Sequence, residues 1–218
     1  MTGKIAIITG GSRGLGRTTA VNLARRGVDV IFTYQSNRAQ ADSLVREIEA
    51  LGRKAAAFQL EAGDTRSFDK FVDGVRKTLK SWGVGCFDFL VNNAGNSLHA
   101  AFMETTEEQF DSIVNVHFKG VYFLTQKLLP LMNDGGRIVN ISSGLARFAL
   151  PGSSAYGASK GAVEVLARYL AKELGPRRIT VNVIAPGAIE TDFSGGMVRD
   201  NPEINKRVAE MTALGRVG

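Results

Sequence analysis

The 218-residue chain is poor in cysteine, histidine and tryptophan, with one, two and one of each. Because Cys86 is alone, no disulfide can form within the chain, which disfavours a disulfide-stabilised secreted domain. No uninterrupted apolar run approaches the roughly 18 residues that a membrane-spanning helix needs, so no membrane partner is expected. The first residues also lack the charged start and long apolar core of a secretory signal. These absences favour a cytoplasmic protein.

Several classes of functional site are equally disfavoured. His99 and His117 have no cluster of Cys, Asp or Glu at metal-ligand spacing, so no metal is expected. A serine hydrolase would need a G-x-S-x-G turn, whereas Ser143 lies in NISSG. The formal charge is +6, but the basic residues are dispersed and form no run. We therefore expect no nucleic acid as a partner, and favour a phosphate-bearing small molecule.

Short apolar runs alternate along the chain with segments of helical periodicity. The runs predict strands over 4–10, 28–34, 54–60, 87–93, 137–142 and 179–185, and the periodic segments predict helices over 15–27, 38–51, 65–81, 105–132 and 154–174. Buried strands joined by helices indicate an α/β protein with a doubly wound parallel sheet in three layers, formed by one domain over 1–218. In such sheets ligands bind beyond the carboxyl ends of the strands.

The first strand is followed by a glycine-rich turn, TGGSRGLG, over residues 9–16. Its glycines permit a tight turn close to a pyrophosphate, and the next helix offers free amides at its N-terminus. The spacing departs from the usual dinucleotide fingerprint. A competing interpretation is a nucleoside-triphosphate loop over 11–18 with Arg17 in place of lysine, but no later strand ends in a magnesium-binding aspartate.

The end of the second strand, residues 33–38, has no carboxylate to bind a ribose 2′-hydroxyl, as a site for NAD usually has. Cations and hydroxyls that suit a 2′-phosphate are present instead, on Arg13, Tyr34, Ser36 and Arg38. NADPH is therefore the expected cofactor, with NADH less favoured. The alternative is that Arg13 and Arg38 are merely solvated.

A tyrosine and a lysine, Tyr156 and Lys160, stand four positions apart in YGASK, surrounded by small residues. Residues at this spacing share one face of a helix, so the phenol and the ammonium can point into the same space. A solvated helix face would show the same pair. Small residues would allow close approach of a cofactor and substrate, although helix packing on a sheet also selects them.

Six motifs together are similar to those of the short-chain dehydrogenase/reductase family, in particular members like 3-oxoacyl-(acyl-carrier-protein) reductase. They are TGGSRGLG, NNAG at 92–95, Asn115, Ser143, YGASK at 156–160 and PG at 186–187, and their order matches through essentially the whole chain. The resemblance implies a Rossmann-type fold. It implies an NADP(H)-dependent enzyme acting on a carbonyl or alcohol.

The resemblance also implies catalytic roles for four residues. Tyr156 would be the general acid or base, Ser143 would hydrogen-bond the carbonyl oxygen, and Lys160 would bind the nicotinamide ribose and stabilise the tyrosinate. Asn115 would help hold a water that connects the lysine to solvent. We expect the ammonium to lower the phenol pKa from about 10 by about 3 units, which corresponds to roughly 4 kcal/mol.

Cofactor-binding residues are implied in the same way, at the ends of the strands. They are Gly10, Ser12, Arg13, Gly14, Leu15, Gly16, Tyr34, Ser36, Arg38, Glu61, Ala62, Asn93, Ala94, Gly95, Tyr156, Lys160, Pro186, Gly187, Ile189 and Thr191. One departure is Glu61, because relatives usually carry an aspartate there to bond the adenine amino group.

The substrate and the assembly are predicted only in outline. A 3-oxoacyl group on an acidic carrier, met by Lys172, Arg177 and Arg178, is one possibility; small ketones, sugars, steroids and quinones are others. Alternatives are oxidation of a secondary alcohol and a non-catalytic cofactor sensor or scaffold. The resemblance implies a homo-oligomer, dimer or tetramer, through helices 105–132 and 154–174. It also implies a further helix and edge strand beyond Gly218, which we expect this chain to lack.

Overall fold

The computed structural model describes residues 3–218, whose strands form one parallel sheet of six. The strands are β1 (Lys4–Ile8), β2 (Val28–Tyr34), β3 (Ala55–Gln59), β4 (Phe87–Asn92), β5 (Met132–Ile141) and β6 (Thr180–Ile184), in the order β3-β2-β1-β4-β5-β6. Ile7 of β1 pairs with Ile31 of β2 on one side and with Leu90 of β4 on the other. The predicted doubly wound parallel sheet is confirmed.

Eight α-helices accompany the sheet in this part of the chain: α1 (Gly14–Arg25), α2 (Arg38–Ala50), α3 (Phe68–Ser81), α4 (Glu107–Val114), α5 (Gly120–Leu128), α6 (Ser154–Glu173), α7 (Met197–Asp200) and α8 (Pro202–Glu210). Apolar side chains of α1 and α2 form one core with the sheet, and those of α3, α5 and α6 form another. The two cores make the three layers. None of the helices over 3–218 is both long and apolar enough to cross a bilayer.

The predicted helix over 105–132 is divided in the structure. A π-helical segment, Asn115–Lys119, separates α4 from α5, and a single 3-10 turn at Leu129–Leu131 ends the helical region. Pro130 lies in that turn, where its missing N–H cannot continue the helix. Strand β5 therefore begins at Met132, five positions before the predicted start. Helices α7 and α8, by contrast, occupy a segment for which no helix was predicted.

The sheet reverses its direction of winding between β1 and β4, which are neighbours at its centre. The carboxyl ends of these two strands are joined by the Thr9 hydroxyl, which accepts hydrogen bonds from the amides of Asn93 and Ala94, each at 2.9 Å. The connections that follow β1 and β4 run to opposite faces of the sheet, so a crevice opens at the carboxyl ends of these strands. The predicted site residues lie around this crevice.

Candidate active site

The glycine turn after β1 is packed too closely for side chains. Gly10 has φ of +63°, and a Cβ on it would lie 2.9 Å from the Ala94 Cα. A Cβ on Gly16 would collide with the Gly10 carbonyl oxygen. Asn93 fixes the turn, because its Nδ2 donates to the carbonyls of Thr9 and Gly10 at 2.9 and 3.0 Å. The two hydrogen bonds from the Asn93 side chain therefore stabilise the conformation of the turn.

The N-terminus of α1 opens directly from this turn. Gly14 has φ of +53°, Arg13 precedes the helix without a side-chain cap, and no acidic residue lies in the first turn. The first amides of a helix have no partner within it and carry a partial positive charge. This end of α1, with Leu15 in its first turn, therefore suits the pyrophosphate of a dinucleotide.

A cleft of about 470 Å³ lies between the glycine turn and α2. It is lined by Ser12, Arg13, Gly14, Arg17, Asn37, Ala39, Gln40, Ser43 and Asp192. Three predicted residues are among them, whereas Tyr34, Ser36 and Arg38 are not. Tyr34 packs on the apolar core, and Arg38 is exposed, 3.6 Å from the Asp42 carboxylate. The first turns of α2 line the cleft instead, and the spacing of 40 and 43 on one helix face could have indicated this.

The ends of β2 and β3 meet beside this cleft. The Glu61 carboxylate accepts a hydrogen bond from Gln35 Nε2 at 2.7 Å and another from the Gly63 amide at 3.3 Å. Asn115 lies at the same place, with its Cβ 3.5 Å from a Cβ built on Gly63. The carbonyl oxygen of Ala62 approaches Gly120 so closely that a Cβ there would collide with it. Asn115 is therefore beside the Glu61–Gly63 loop.

Ser143, Tyr156 and Lys160 come together at the end of β5 and the start of α6. The Lys160 side chain is buried, its Nζ donates to the Ile141 carbonyl at 2.6 Å, and it lies 5.6 Å from the centre of the Tyr156 ring. Gly157 lets the chain after Ser143 pack on α6, since a Cβ there would lie 2.8 Å from the Leu145 carbonyl oxygen. At least this small residue of YGASK thus serves helix packing.

Burial controls the ionisation of this group. It raises the pKa of the Tyr156 phenol above its usual value, and hydrogen bonding with Ser143 offsets the rise only in part. It also lowers the pKa of Lys160 to about 8. The expected lowering of the phenol pKa by the ammonium is therefore wrong for this geometry, because desolvation of a tyrosinate dominates.

The residue that packs on the Tyr156 ring from the π-helical segment is His117, which sequence reasoning treated only as a possible metal ligand. Its ring is buried and stands edge-on to the phenol ring, with the centres 5.0 Å apart. Its Nε2 lies 2.8 Å from the Asn96 carbonyl oxygen. Burial, and after it the charge of Lys160, lowers its pKa to about 3. A histidine within an apolar helical stretch was the available signal.

The loop after β6 closes the crevice from above. The Pro186 carbonyl accepts a hydrogen bond from the Gly144 amide at 3.0 Å, and the Thr191 Cβ is 3.6 Å from a Cβ built on Gly14. Gly187 has open space around it, and Ile189 lies between it and Thr191. The loop therefore runs from the tyrosine side of the crevice to the glycine turn. Over residues 3–218, no cluster of His, Cys, Asp or Glu could hold a metal ion.

A sequence profile described as short chain dehydrogenase matches residues 4–202. The chain belongs to the short chain dehydrogenase family. The resemblance drawn from the six motifs is thereby confirmed, and the protein is an oxidoreductase of this family.

Similar structures and a curated relative in this family are described as reductases. The reductase LugOII, described as catalysing keto-reduction at C1 during lugdunomycin biosynthesis, is 43% identical with a TM-score of 0.94, covering 100% of this chain and 86% of its own. The angucycline C-6 ketoreductase LanV, solved with bound NADP, is 38% identical with a TM-score of 0.94, covering 100% and 84%. A tetrahydroxynaphthalene reductase of Pestalotiopsis fici is 35% identical, covering 99% and 80%.

Proposed function

We propose that this short chain dehydrogenase reduces a ketone to a secondary alcohol with NADPH, and that Tyr156 is the general acid. The observation that carries the proposal is the grouping of Ser143, Tyr156 and Lys160 at one end of a crevice whose other end is a helix N-terminus suited to a pyrophosphate. When bound, NADPH supplies the hydride. Oxidation of an alcohol by the same groups is the reverse reaction.

The ionisation of the site favours the reducing direction at neutral pH. Because burial raises the pKa of Tyr156, the phenol keeps its proton and is ready to donate it to a carbonyl oxygen. The Ser143 hydroxyl hydrogen-bonds the same oxygen and holds the carbonyl in place. Lys160, with its pKa near 8, is largely charged at pH 7 and stabilises the tyrosinate as the proton leaves. Oxidation needs the tyrosinate beforehand and so requires alkaline solution.

The charge of the cleft beside α2 supports NADPH as the cofactor. Arg13 is exposed and its side chain has no hydrogen bond or ion pair to any residue in 3–218, while Arg17 is paired with Glu47 at 2.7 Å. The one carboxylate that lines the cleft, Asp192, is paired with Arg199. A free guanidinium with the hydroxyls of Ser12 and Ser43 suits a 2′-phosphate. The relative LanV was solved with NADP.

Further cofactor contacts are assigned by position along the crevice. The adenine side would be formed by Glu61 and Ala62, the adjoining ribose would lie by Ala94 and Gly95, and the nicotinamide would lie by Pro186, Gly187, Ile189 and Thr191. Tyr34, Ser36 and Arg38 stand outside the cleft lining, so Arg13 is the main candidate for 2′-phosphate recognition. Lys160 would hold the nicotinamide ribose with one of the two donors that Ile141 leaves free.

Exposed apolar side chains in the segments that follow β5 and β6 favour a flat, ring-containing ketone. The ring of Phe193 lies 6.1 Å from that of Tyr156, tilted by 51°, and Phe148, Leu150 and Met197 are exposed as well. Aromatic walls of this kind select planar apolar substrates. The names of the relatives point to the same class. A carrier-bound 3-oxoacyl substrate is less favoured, because Arg177 is occupied by Asp134 and by the carbonyls of Leu129 and Met132.

A second copy of the chain would pack against α5 and α6. A groove between these helices is lined by Phe118, Tyr122, Ala162, Val165, Leu166, Tyr169, Leu170 and Glu173. Tyr122, Val165 and Tyr169 are 42, 43 and 65% exposed, which is unusual for adjoining large side chains. Light scattering should show a dimer or larger assembly, and Tyr169→Glu should reduce it. A monomeric parent would remove this part of the proposal.

Cofactor binding and turnover test the proposed function together. NADPH and NADH are titrated by fluorescence, and NADPH consumption is then followed with 2-tetralone, a ketone on an aryl-fused ring. We expect NADPH to bind at least about tenfold more tightly, equivalent to about 1.4 kcal/mol. Tyr156→Phe should bind NADPH as the parent does and reduce no ketone. Equal binding of NADH would refute the cofactor, and turnover by Tyr156→Phe would refute the mechanism. Binding without turnover in the parent, with 2-tetralone and further ketones, would favour a sensor.

A further inference from the structure

We propose that His117 is a positioning residue of the reaction site, whose buried Nδ1 accepts a hydrogen bond from one water that is itself held by the Lys160 ammonium. The inference rests on the proposed function, since it concerns the Tyr156–Lys160 pair. Three features carry it: the π-helical segment that brings the imidazole to this pair, the tautomer fixed by Asn96, and an acceptor left without a partner.

The first feature is the position of the ring. π-helical turns inside α-helices are rare and often mark functional sites. Here the segment Asn115–Lys119 places His117, which is only 1% exposed, against Tyr156. The phenol ring has the imidazole centre 5.0 Å away and Lys160 Nζ 5.6 Å away. The three side chains therefore form one buried group.

The second feature is the hydrogen bond to Asn96. The Nε2 of His117 lies 2.8 Å from the Asn96 carbonyl oxygen, which can only accept. The Asn96 amide also approaches Nε2, at the longer distance of 3.3 Å. Because the contact with the carbonyl is the shorter of the two, we assign the proton to Nε2, which leaves Nδ1 of the neutral ring as an acceptor. With its pKa near 3, the imidazole stays neutral throughout the working range. The role of His117 is therefore to accept a hydrogen bond and not to transfer a proton by its own titration.

The third feature is a matched pair of unsatisfied groups. Nδ1 of His117 is buried and has no hydrogen-bond partner among residues 3–218. Buried polar atoms nearly always have a partner, either protein or ordered water. The Lys160 ammonium has three donors and only one of them is used, by the Ile141 carbonyl. An acceptor and a donor in one buried group are complementary.

Other charged groups near this site do not supply a competing partner. From α6 the imidazole meets Tyr156 and the charge of Lys160, and from the loop after β4 it meets Asn96. Glu164, one turn after Lys160 on α6, accepts from Ser142 at 2.9 Å and lies 3.7 Å from Arg147. Lys119, in the π-helical segment itself, is exposed. Among these groups, Lys160 is therefore the cation that can interact with Nδ1.

The proposal predicts the ionisation of Lys160. A water that accepts from the ammonium and donates to Nδ1 stabilises the charged form of Lys160. Removing Nδ1 should therefore lower the Lys160 pKa below its value of about 8. His117→Phe keeps a ring against Tyr156 without a nitrogen, and His117→Asn keeps an acceptor. Carbon-13 NMR of the lysine side chains, assigned with Lys160→Met, measures this pKa. The pH profile of 2-tetralone reduction measures its effect on turnover.

We expect His117→Phe to lower the Lys160 pKa by about one unit or more, and to move the alkaline limb of the profile equally. His117→Asn should restore both most of the way. Equal shifts in the two variants, or none in either, would overturn the proposal. If a variant does not fold, nitrogen-15 NMR of the parent still tests the proposal. Nδ1 should be unprotonated at pH 7, and its chemical shift should change as Lys160 titrates near pH 8. A protonated Nδ1, or one whose chemical shift does not change, refutes the inference. Loss of turnover in Tyr156→Phe remains a separate test, so each proposal can fail alone.

Discussion

Acid should unfold this protein partly through His117. The imidazole is 1% exposed and its pKa in the folded protein is about 3, against 6.5 for an ordinary histidine. Between these values the unfolded chain binds a proton that the folded protein does not, so stability is complete above pH 6.5 and falls as the pH drops towards 3. The loss amounts to about 1.4 kcal/mol per pH unit, or about 3 kcal/mol at pH 4. That is a large share of the roughly 5–15 kcal/mol that stabilises a typical domain.

Urea unfolding followed by circular dichroism at pH 7, 6, 5 and 4 measures this effect. His117→Phe differs from the parent in packing as well, so the comparison concerns the slope of stability against pH and not its absolute value. Between pH 6 and 4 the slope of the variant should be shallower by about 1.4 kcal/mol per pH unit, with little difference between pH 7 and 6. His99→Phe is the matched control, because that histidine is exposed, and its slope should equal that of the parent. Parallel curves for the parent and His117→Phe would refute the reasoning.

Three further predictions concern the buried lysine, the close-packed glycine turn and the exposed Arg13 side chain. Lys160→Met should abolish reduction yet raise the free energy of unfolding at pH 7 by about 2–3 kcal/mol, measured in urea, since the buried ammonium is desolvated; a destabilised variant would contradict this. Gly16→Ala should lower the free energy of unfolding by about 1–3 kcal/mol, because its Cβ would collide with the Gly10 carbonyl. Gly161→Ala is the control: its Cβ would lie in open space on α6, so the same assay should show no change or a gain in stability. Arg13→Ala should weaken NADPH binding about tenfold or more and leave NADH binding unchanged, and equal losses for both cofactors would argue against a 2′-phosphate contact.

The strands were predictable because β-branched residues in short runs, bounded by turn residues, have few other buried conformations. All six were found, in one parallel sheet. A single helix was predicted over 105–132 because the apolar periodicity continues past both the π-helical segment and the 3-10 turn. Pro130 was a visible reason to end it early, whereas the π-helical segment has no comparable sequence signal.

The cleft that we propose for the cofactor is lined only in part by the predicted residues. The glycine turn and Arg13 line it as expected, since they follow β1 directly. The other wall of the cleft is formed by residues in the first turns of α2. Which of these residues face the cleft depends on the direction that the chain takes after Tyr34. A sequence cannot give that direction. The phenol pKa was mispredicted for a similar reason, because the depth of burial belongs to the tertiary structure.

The choice between Asn115 and His117 depends on the phase of one helix. Residues two positions apart on a helix do not share a face, so Asn115 and His117 have different neighbours. The structure places Asn115 at the Glu61–Gly63 loop and His117 on the tyrosine, and the π-helical turn between α4 and α5 sets this phase. Gly120, where a Cβ would collide with the Ala62 carbonyl, lets the turn lie against that loop. The group beside the phenol is therefore an imidazole with one free nitrogen, and the ionisation of Lys160 should depend on that nitrogen.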